Sequence, residues 1–233
     1  MRDKFDLSAY FVVGPENTKG RRVLDVIEES IEAGITFLQI RSKEVSAKEL
    51  IQLTLETSEL LERKGKKDSV TLVVNDRLDV ILAAREAGAK VDGIHVGQTD
   101  IPVDVCRKYL GKDAVIGLSA RTHELIDYVK NVDVAEVDYF GAGPLHETKT
   151  KPDCGLNSQG EVIVRSFEEL KELAKISPIP IVVGGGVKEK DLNDLAQTRV
   201  DGFFVVSAIA EAEDPFLATK KLVDTWNESV KND

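Results

Sequence analysis

The chain has 233 residues, 42% of them hydrophobic, with 41 acidic against 31 basic side chains and a formal net charge of -10. That length suits one large α/β domain with ample material for a core, and the negative balance disfavours nucleic acid and anionic membrane as partners. No run of eighteen or more apolar residues occurs and the start, MRDKFD, lacks the apolar centre of a signal peptide, so a soluble, cytoplasmic protein is expected.

Short apolar runs of strand type alternate with longer amphipathic segments along the whole chain, and no linker interrupts them. The strands are expected at Tyr10–Val13, Thr36–Arg41, Thr71–Asn75, Gly93–Val96, Ala114–Leu118, Glu136–Phe140, Ile179–Val183 and Gly202–Val206. Helices are expected between them, for example over Arg22–Ala33, Ala47–Lys64 and Leu125–Val132, with Pro215–Glu228 after the last strand. Ser46 and Glu49 form a capping-box pattern ahead of the second helix. Eight such units in this length fit a (β/α)8 TIM barrel, one domain over residues 1–233, better than an open doubly wound sheet. Active sites of that architecture gather on the loops after the carboxyl ends of the strands, so those loops carry the functional argument.

The second strand runs into Gln39-Ile-Arg-Ser-Lys43. Strand side chains alternate in direction, so Leu38 and Ile40 should face the helices while Gln39, Arg41 and Lys43 face the barrel mouth. An inward Arg needs an anionic partner, either a neighbouring carboxylate or a bound ligand. The third strand leads to Asn75-Asp-Arg77 and the fourth to Gly97-Gln-Thr-Asp-Ile-Pro102. Asp76 and Asp100 each stand just ahead of a helix, where helix capping is the ordinary explanation. Capping does not require that both acids share one rim with Arg41, Lys43 and Asn75. One or two carboxylates, completed by phosphate oxygens and water, are what Mg²⁺ prefers, so the pair makes a plausible Mg²⁺–pyrophosphate site.

The fifth strand ends at Ser119, a small hydroxyl at the rim. After the sixth comes GAGPLHETKTKPD, Gly141–Asp153, too broken by Gly and Pro for a helix and carrying Thr148, Lys149, Thr150 and Lys151 as ligands for an anion. The seventh strand ends in Gly184–Gly186, where a ligand can approach the backbone, and the eighth in Val205-Val-Ser-Ala208. Loops after strands seven and eight are the usual phosphate site of this barrel. His95 reads as an inward, hydrogen-bonded strand residue, while His123 and His146 are either solvated or line the site. No HxxxH spacing occurs, and Cys106 and Cys154 form neither a CxxC pair nor a disulfide framework.

Taken in order, the elements QIRSK, VNDR, HVGQTD, GLS, GPLHETKTK, GGG and VVSA resemble those of the thiamine phosphate synthase family over roughly Tyr10 to Ala210. The resemblance implies a transferase of thiamine biosynthesis that joins a pyrimidine methyl pyrophosphate to a carboxythiazole phosphate, or to hydroxyethylthiazole phosphate. It implies Gln39, Arg41, Lys43, Asn75, Ser119 and Lys151 at the pyrimidine pyrophosphate, with Lys151, Arg41 and Ser119 taking part in catalysis. Asp76 and Asp100 would bind Mg²⁺, and Thr148, Thr150, Gly186, Val206 and Ser207 would receive the thiazole phosphate. The partners implied are therefore two small phosphorylated substrates, and a homo-oligomer is compatible with the sequence.

Three positions depart from the usual form: Ser42 replaces an acidic residue, Arg121 stands where a His often follows the Ser119 element, and Lys149 separates the two threonines. Two other readings stay open at this level. A thiazole tautomerase on the same barrel should lack the Asp pair and depend on a His near the end of strand five, where this chain has Arg121. A non-catalytic phosphate-binding barrel should show gaps in the ligand set, and none is found.

Overall fold

A computed structural model describes residues 5–120, 124–147 and 162–231. Eight parallel strands close into a barrel in chain order: β1 Ala9–Val13, β2 Phe37–Ile40, β3 Thr71–Asn75, β4 Gly93–Val96, β5 Val115–Ser119, β6 Tyr139–Ala142, β7 Ile181–Val183 and β8 Gly202–Val205. Closure is made by β1 and β8, which pair through Tyr10 and Phe204. The helices are α1 Val23–Glu32, α2 Ala47–Arg63, α3 Leu78–Glu86, α4 Val103–Leu110, α5 Leu125–Asn131, α6 Phe167–Ile176, α7 Leu192–Gln197, α8 Ser207–Ala210 and α9 Pro215–Lys231. The (β/α)8 barrel expected from the alternation of elements is therefore the fold.

The alternation of each strand sorts its residues into two cores. Leu38 and Ile40, with Phe11, Val74, Ile94 and Phe140, pack outward against the helices. Tyr10, Val12, Phe37, Val73, Val115, Tyr139 and Val182 fill the barrel interior, with Phe5 and Leu7 closing its amino-terminal end. Helix starts follow local chemistry. Ser46 Oγ accepts from the Glu49 N–H at 3.3 Å while Glu49 Oε2 accepts from the Ser46 N–H at 3.0 Å, the reciprocal box its sequence announces.

A four-fold device pins the amino-terminal end. The residue before each even-numbered strand accepts, through its side chain, a backbone N–H from the preceding strand or its entry. Thr36 Oγ1 takes Ala9 N–H at 3.1 Å and Asp92 Oδ2 takes Leu72 N–H at 2.7 Å. Asp138 Oδ2 takes Ile116 N–H at 2.8 Å and Asp201 Oδ2 takes Ile181 N–H at 2.7 Å. Each acceptor residue also donates its own N–H back to the same strand position. Such pairing, at the end remote from the strands' carboxyl ends, serves stability, since active sites of this fold lie at the other end.

Several element boundaries shift from the sequence reading, β7 for example starting at Ile181 rather than Ile179 and α9 ending at Lys231 rather than Glu228. The sixth strand was expected over Glu136–Phe140 but runs from Tyr139 to Ala142. Glu136 and Asp138 are instead held by Arg107, whose Nε and Nη2 lie 3.2 and 2.7 Å from the two carboxylates, so this stretch is spent on strand entry. The glycine-rich loop consequently starts at Gly143 rather than Gly141. After the seventh strand, the stretch Lys188–Gln197 begins as a 3₁₀ turn, Glu189–Asp191, and becomes α-helical only at Leu192.

Candidate active site

The carboxyl ends of the strands assemble the predicted rim. Gln39 is buried on the inner face of β2, its Nε2 donating to Tyr10 Oη. Arg41 follows immediately, its N–H bonded to Val13 O at 2.9 Å, which fixes the β2 exit against that of β1. Gly14 permits this approach: a Cβ there would collide with the Arg41 carbonyl. Lys43 is exposed and its N–H donates to Glu16 Oε1 at 3.1 Å. Between them Ser42 is buried and accepts the N–H groups of Glu44 and Val45, so the residue that departs from the usual acidic side chain closes a turn.

Asn75 and Asp76 form the corner after β3. Asp76 has φ 58°, in the left-handed region that Asp visits more readily than most side chains. The Asn75 amide donates to Asp76 Oδ2 at 2.5 Å, and the Asp76 N–H donates to His95 O on β4 at 2.9 Å. Helix capping, the ordinary explanation for this acid, does not apply, since the N-cap position of α3 is Arg77, whose side chain makes no cap hydrogen bond. Arg77 pairs with Asp79 instead, and that guanidinium holds the Asp79 carboxyl below its usual range. Asp100 is likewise not a cap: Pro102 precedes α4, and Asp100 Oδ2 accepts the Gly97 N–H at 2.9 Å. Both residues are thus tied to the end of β4, Asp76 by its backbone N–H at His95 and Asp100 by its carboxylate at Gly97. Among the described residues no group of three or more His, Cys, Asp or Glu side chains forms a metal cage.

Ser119 ends β5, and its Oγ lies 3.0 Å from His95 Nε2. His95 is hydrogen-bonded as its strand position suggests, its other ring nitrogen 3.0 Å from Tyr139 Oη. The loop after β6 is described as far as Glu147. Leu145 and His146 donate their N–H groups to carbonyls of Gly184 and Gly185 at 2.9 to 3.1 Å, so the loop is clipped onto the triple glycine. A Cβ at Gly184 would meet the Phe204 ring of β8 and one at Gly185 would meet Pro144, so the first glycine lets the β7 exit pack against β8 and the second lets it pack against the loop after β6. His146 Nε2 also comes within 3.0 Å of the buried carboxylate of Asp191. Gly186 and Val206 are half-buried and Ser207 is exposed at the start of α8. Thr148, Lys149, Thr150 and Lys151, with Arg121, His123 and Cys154, lie outside the described residues.

The sequence reading passed over Tyr10 and Tyr139, which lie at inward positions of β1 and β6 and link Gln39 to His95. Their signal was present in the strand alternation, but large inward aromatics read simply as core.

A closed parallel barrel whose catalytic-end rim gathers Gln39, Arg41, Asn75, two non-capping carboxylates and Ser119 belongs to the class of (β/α)8 barrel enzymes. The chain belongs to the thiamine monophosphate synthase family, whose model matches residues 9–209, and it is accordingly a transferase of thiamine biosynthesis. It is 34% identical over 223 residues to the thiamine-phosphate synthase of Clostridium tetani, covering 96% of this chain and 97% of the relative. The thiamine-phosphate synthase of Corynebacterium efficiens is 35% identical over 228 residues, covering 98% and 99%. Among solved structures, a thiamine phosphate pyrophosphorylase from Pyrococcus furiosus superposes with a TM-score of 0.79 at 25% identity, covering 98% of each chain. No helix among the described residues is long and apolar enough to cross a membrane.

Proposed function

We propose that the chain condenses 4-amino-2-methyl-5-(diphosphooxymethyl)pyrimidine with carboxythiazole phosphate, to give thiamine phosphate, pyrophosphate and CO2, or with hydroxyethylthiazole phosphate, to give thiamine phosphate and pyrophosphate. Gln39, Arg41, Lys43, Asn75, Ser119 and Lys151 hold the pyrimidine pyrophosphate; Thr148, Thr150, Gly186, Val206 and Ser207 receive the thiazole phosphate. The observation that carries this reading is the Asn75–Asp76 corner. A left-handed backbone at a residue that caps no helix is a local cost met elsewhere in the fold, and such residues cluster at ligand sites.

The donor set fits Mg²⁺. Asp76 and Asp100 are hard oxygen donors tethered to one strand end, and two carboxylates completed by phosphate and water suit this ion. Bound there, Mg²⁺ would offset charge on the pyrophosphate oxygens. The chain's own groups do the rest. Arg41 and Lys151 neutralise the charge that grows on the departing pyrophosphate as the bond to the pyrimidine methylene carbon breaks, and Ser119 donates to it. The aminopyrimidine delocalises the positive charge left behind. The thiazole nitrogen then attacks that carbon, a step that needs no general base from the protein. By holding two anionic substrates that repel each other, the rim of this net-negative chain converts an encounter into an oriented reaction.

The test is to mix the protein with both substrates and Mg²⁺ and assay thiamine phosphate, then repeat with chelator. Product in the first tube and its loss in the second is expected. No product with metal present overturns the reading.

A further inference from the structure

Five side chains form one hydrogen-bonded relay across the barrel interior. Gln39 Nε2 donates to Tyr10 Oη, which lies 3.0 Å from Tyr139 Oη. Tyr139 Oη lies 3.0 Å from His95 Nδ1, and His95 Nε2 lies 3.0 Å from Ser119 Oγ. The relay begins and ends at residues assigned above to the pyrimidine pyrophosphate, yet its three middle members have no part in that assignment. The barrel makes room for it. Gly117 pairs with both His95 and Tyr139, and a Cβ there would fall on the Tyr139 ring; a Cβ at Gly141 would crowd the His95 ring at 3.1 Å.

The proton order follows from the inventory of each group. An amide nitrogen only donates, so Tyr10 accepts from Gln39 and passes its own proton to Tyr139. Burial pushes both phenols well above their usual pKa, so each keeps its single proton at neutral pH. Tyr139 then donates to His95 Nδ1, which leaves the imidazole proton on Nε2, directed at Ser119 Oγ. Ser119 accepts there and retains its own proton for another partner.

We propose that Tyr139 and Tyr10 are positioning residues for Ser119: the relay from Gln39 sets the His95 ring with its Nε2–H toward Ser119, so that the Ser119 hydroxyl points its proton at the leaving pyrophosphate. The proposal rests on the role of Ser119 given above. Run in the opposite sense, the same atoms would turn that proton inward to His95, and Ser119 would offer the pyrophosphate only lone pairs.

Two measurements test it. In ¹⁵N-labelled protein without substrate, the His95 ring, assigned by comparison with His95→Gln, should show a protonated Nε2 and an unprotonated Nδ1 at neutral pH. In kinetics, Tyr139→Phe should lower kcat by about tenfold with little change in KM for the pyrimidine pyrophosphate, the pattern of an interaction made chiefly in the transition state. It should also weaken the Nε2–H preference. Tyr10→Phe, which leaves the Tyr139–His95 bond in place, should cost less. In a Ser119→Ala background, Tyr139→Phe should cost nothing further, because the relay acts through that hydroxyl. A wild-type His95 protonated on Nδ1, or a Tyr139→Phe loss undiminished by Ser119→Ala, overturns the relay. If Tyr139→Phe does not fold, the wild-type tautomer and Tyr10→Phe still decide. Unchanged turnover in Ser119→Ala would instead sink the catalytic role of Ser119, while the tautomer measurement judges the relay by itself.

Discussion

The Asp76 N–H donates to the His95 carbonyl at 2.9 Å, which stitches the corner after β3 to the neighbouring strand and holds Asp76 at φ 58°. An alanine in that conformation costs about 1–2 kcal/mol, a cost glycine escapes. Asp76→Gly should therefore be more stable than Asp76→Ala by about 1 kcal/mol. Both should lose turnover by at least about a hundredfold through the missing carboxylate. Urea unfolding and a product assay check the two halves separately. Equal stability of the variants removes the strain, and retained activity removes the metal role.

Lys151→Ala should lose roughly 10²–10³-fold in turnover, the usual effect of deleting one group that stabilises developing charge. Its thermal midpoint should match the parent, because the backbone bonds that Leu145 and His146, among the described residues, make to the triple glycine are kept in the variant. Steady-state kinetics with a melting curve decide this, and parental turnover refutes the role.

Asp138 lies at the opposite end of the barrel, accepting from Ile116 N–H at 2.8 Å and from Arg107 Nη2 at 2.7 Å. Asp138→Ala leaves both donors without this acceptor and should destabilise the fold by about 1–3 kcal/mol. Asp138→Asn, which keeps an acceptor oxygen, should cost less. Well below the melting temperature, kcat and KM should be unchanged in both. A fall in kcat with no loss of stability contradicts a purely structural role.

Cys106 is buried in α4, and burial pushes its thiol up to about 11. Thiolate is the reactive form, so in a Cys154→Ser background Cys106 should resist a thiol reagent at pH 8 and react only as urea opens the fold. Fast labelling of the native protein at that pH shows the α4 face to be open.

The sequence by itself determined the barrel, the order of its elements and the chemistry of its rim. Period-two alternation states which strand residues face the helices, and Leu38 and Ile40 against Gln39 could be sorted without coordinates. Local signals such as the Ser46–Glu49 box are complete within four residues and are equally legible. Tertiary structure alone decided why Asp76 and Asp100 stand where they do, since a cap and a corner look identical until the first helical residue is placed. It also moved the sixth strand toward its loop, because Arg107, far away in sequence, holds Glu136 and Asp138 at the strand entry. The relay from Gln39 to Ser119 joins five strands across separations as long as the 129 residues between Tyr10 and Tyr139. No local pattern encodes such contacts; closure of the barrel brings those side chains to one interior, where each buried polar group must find its partner.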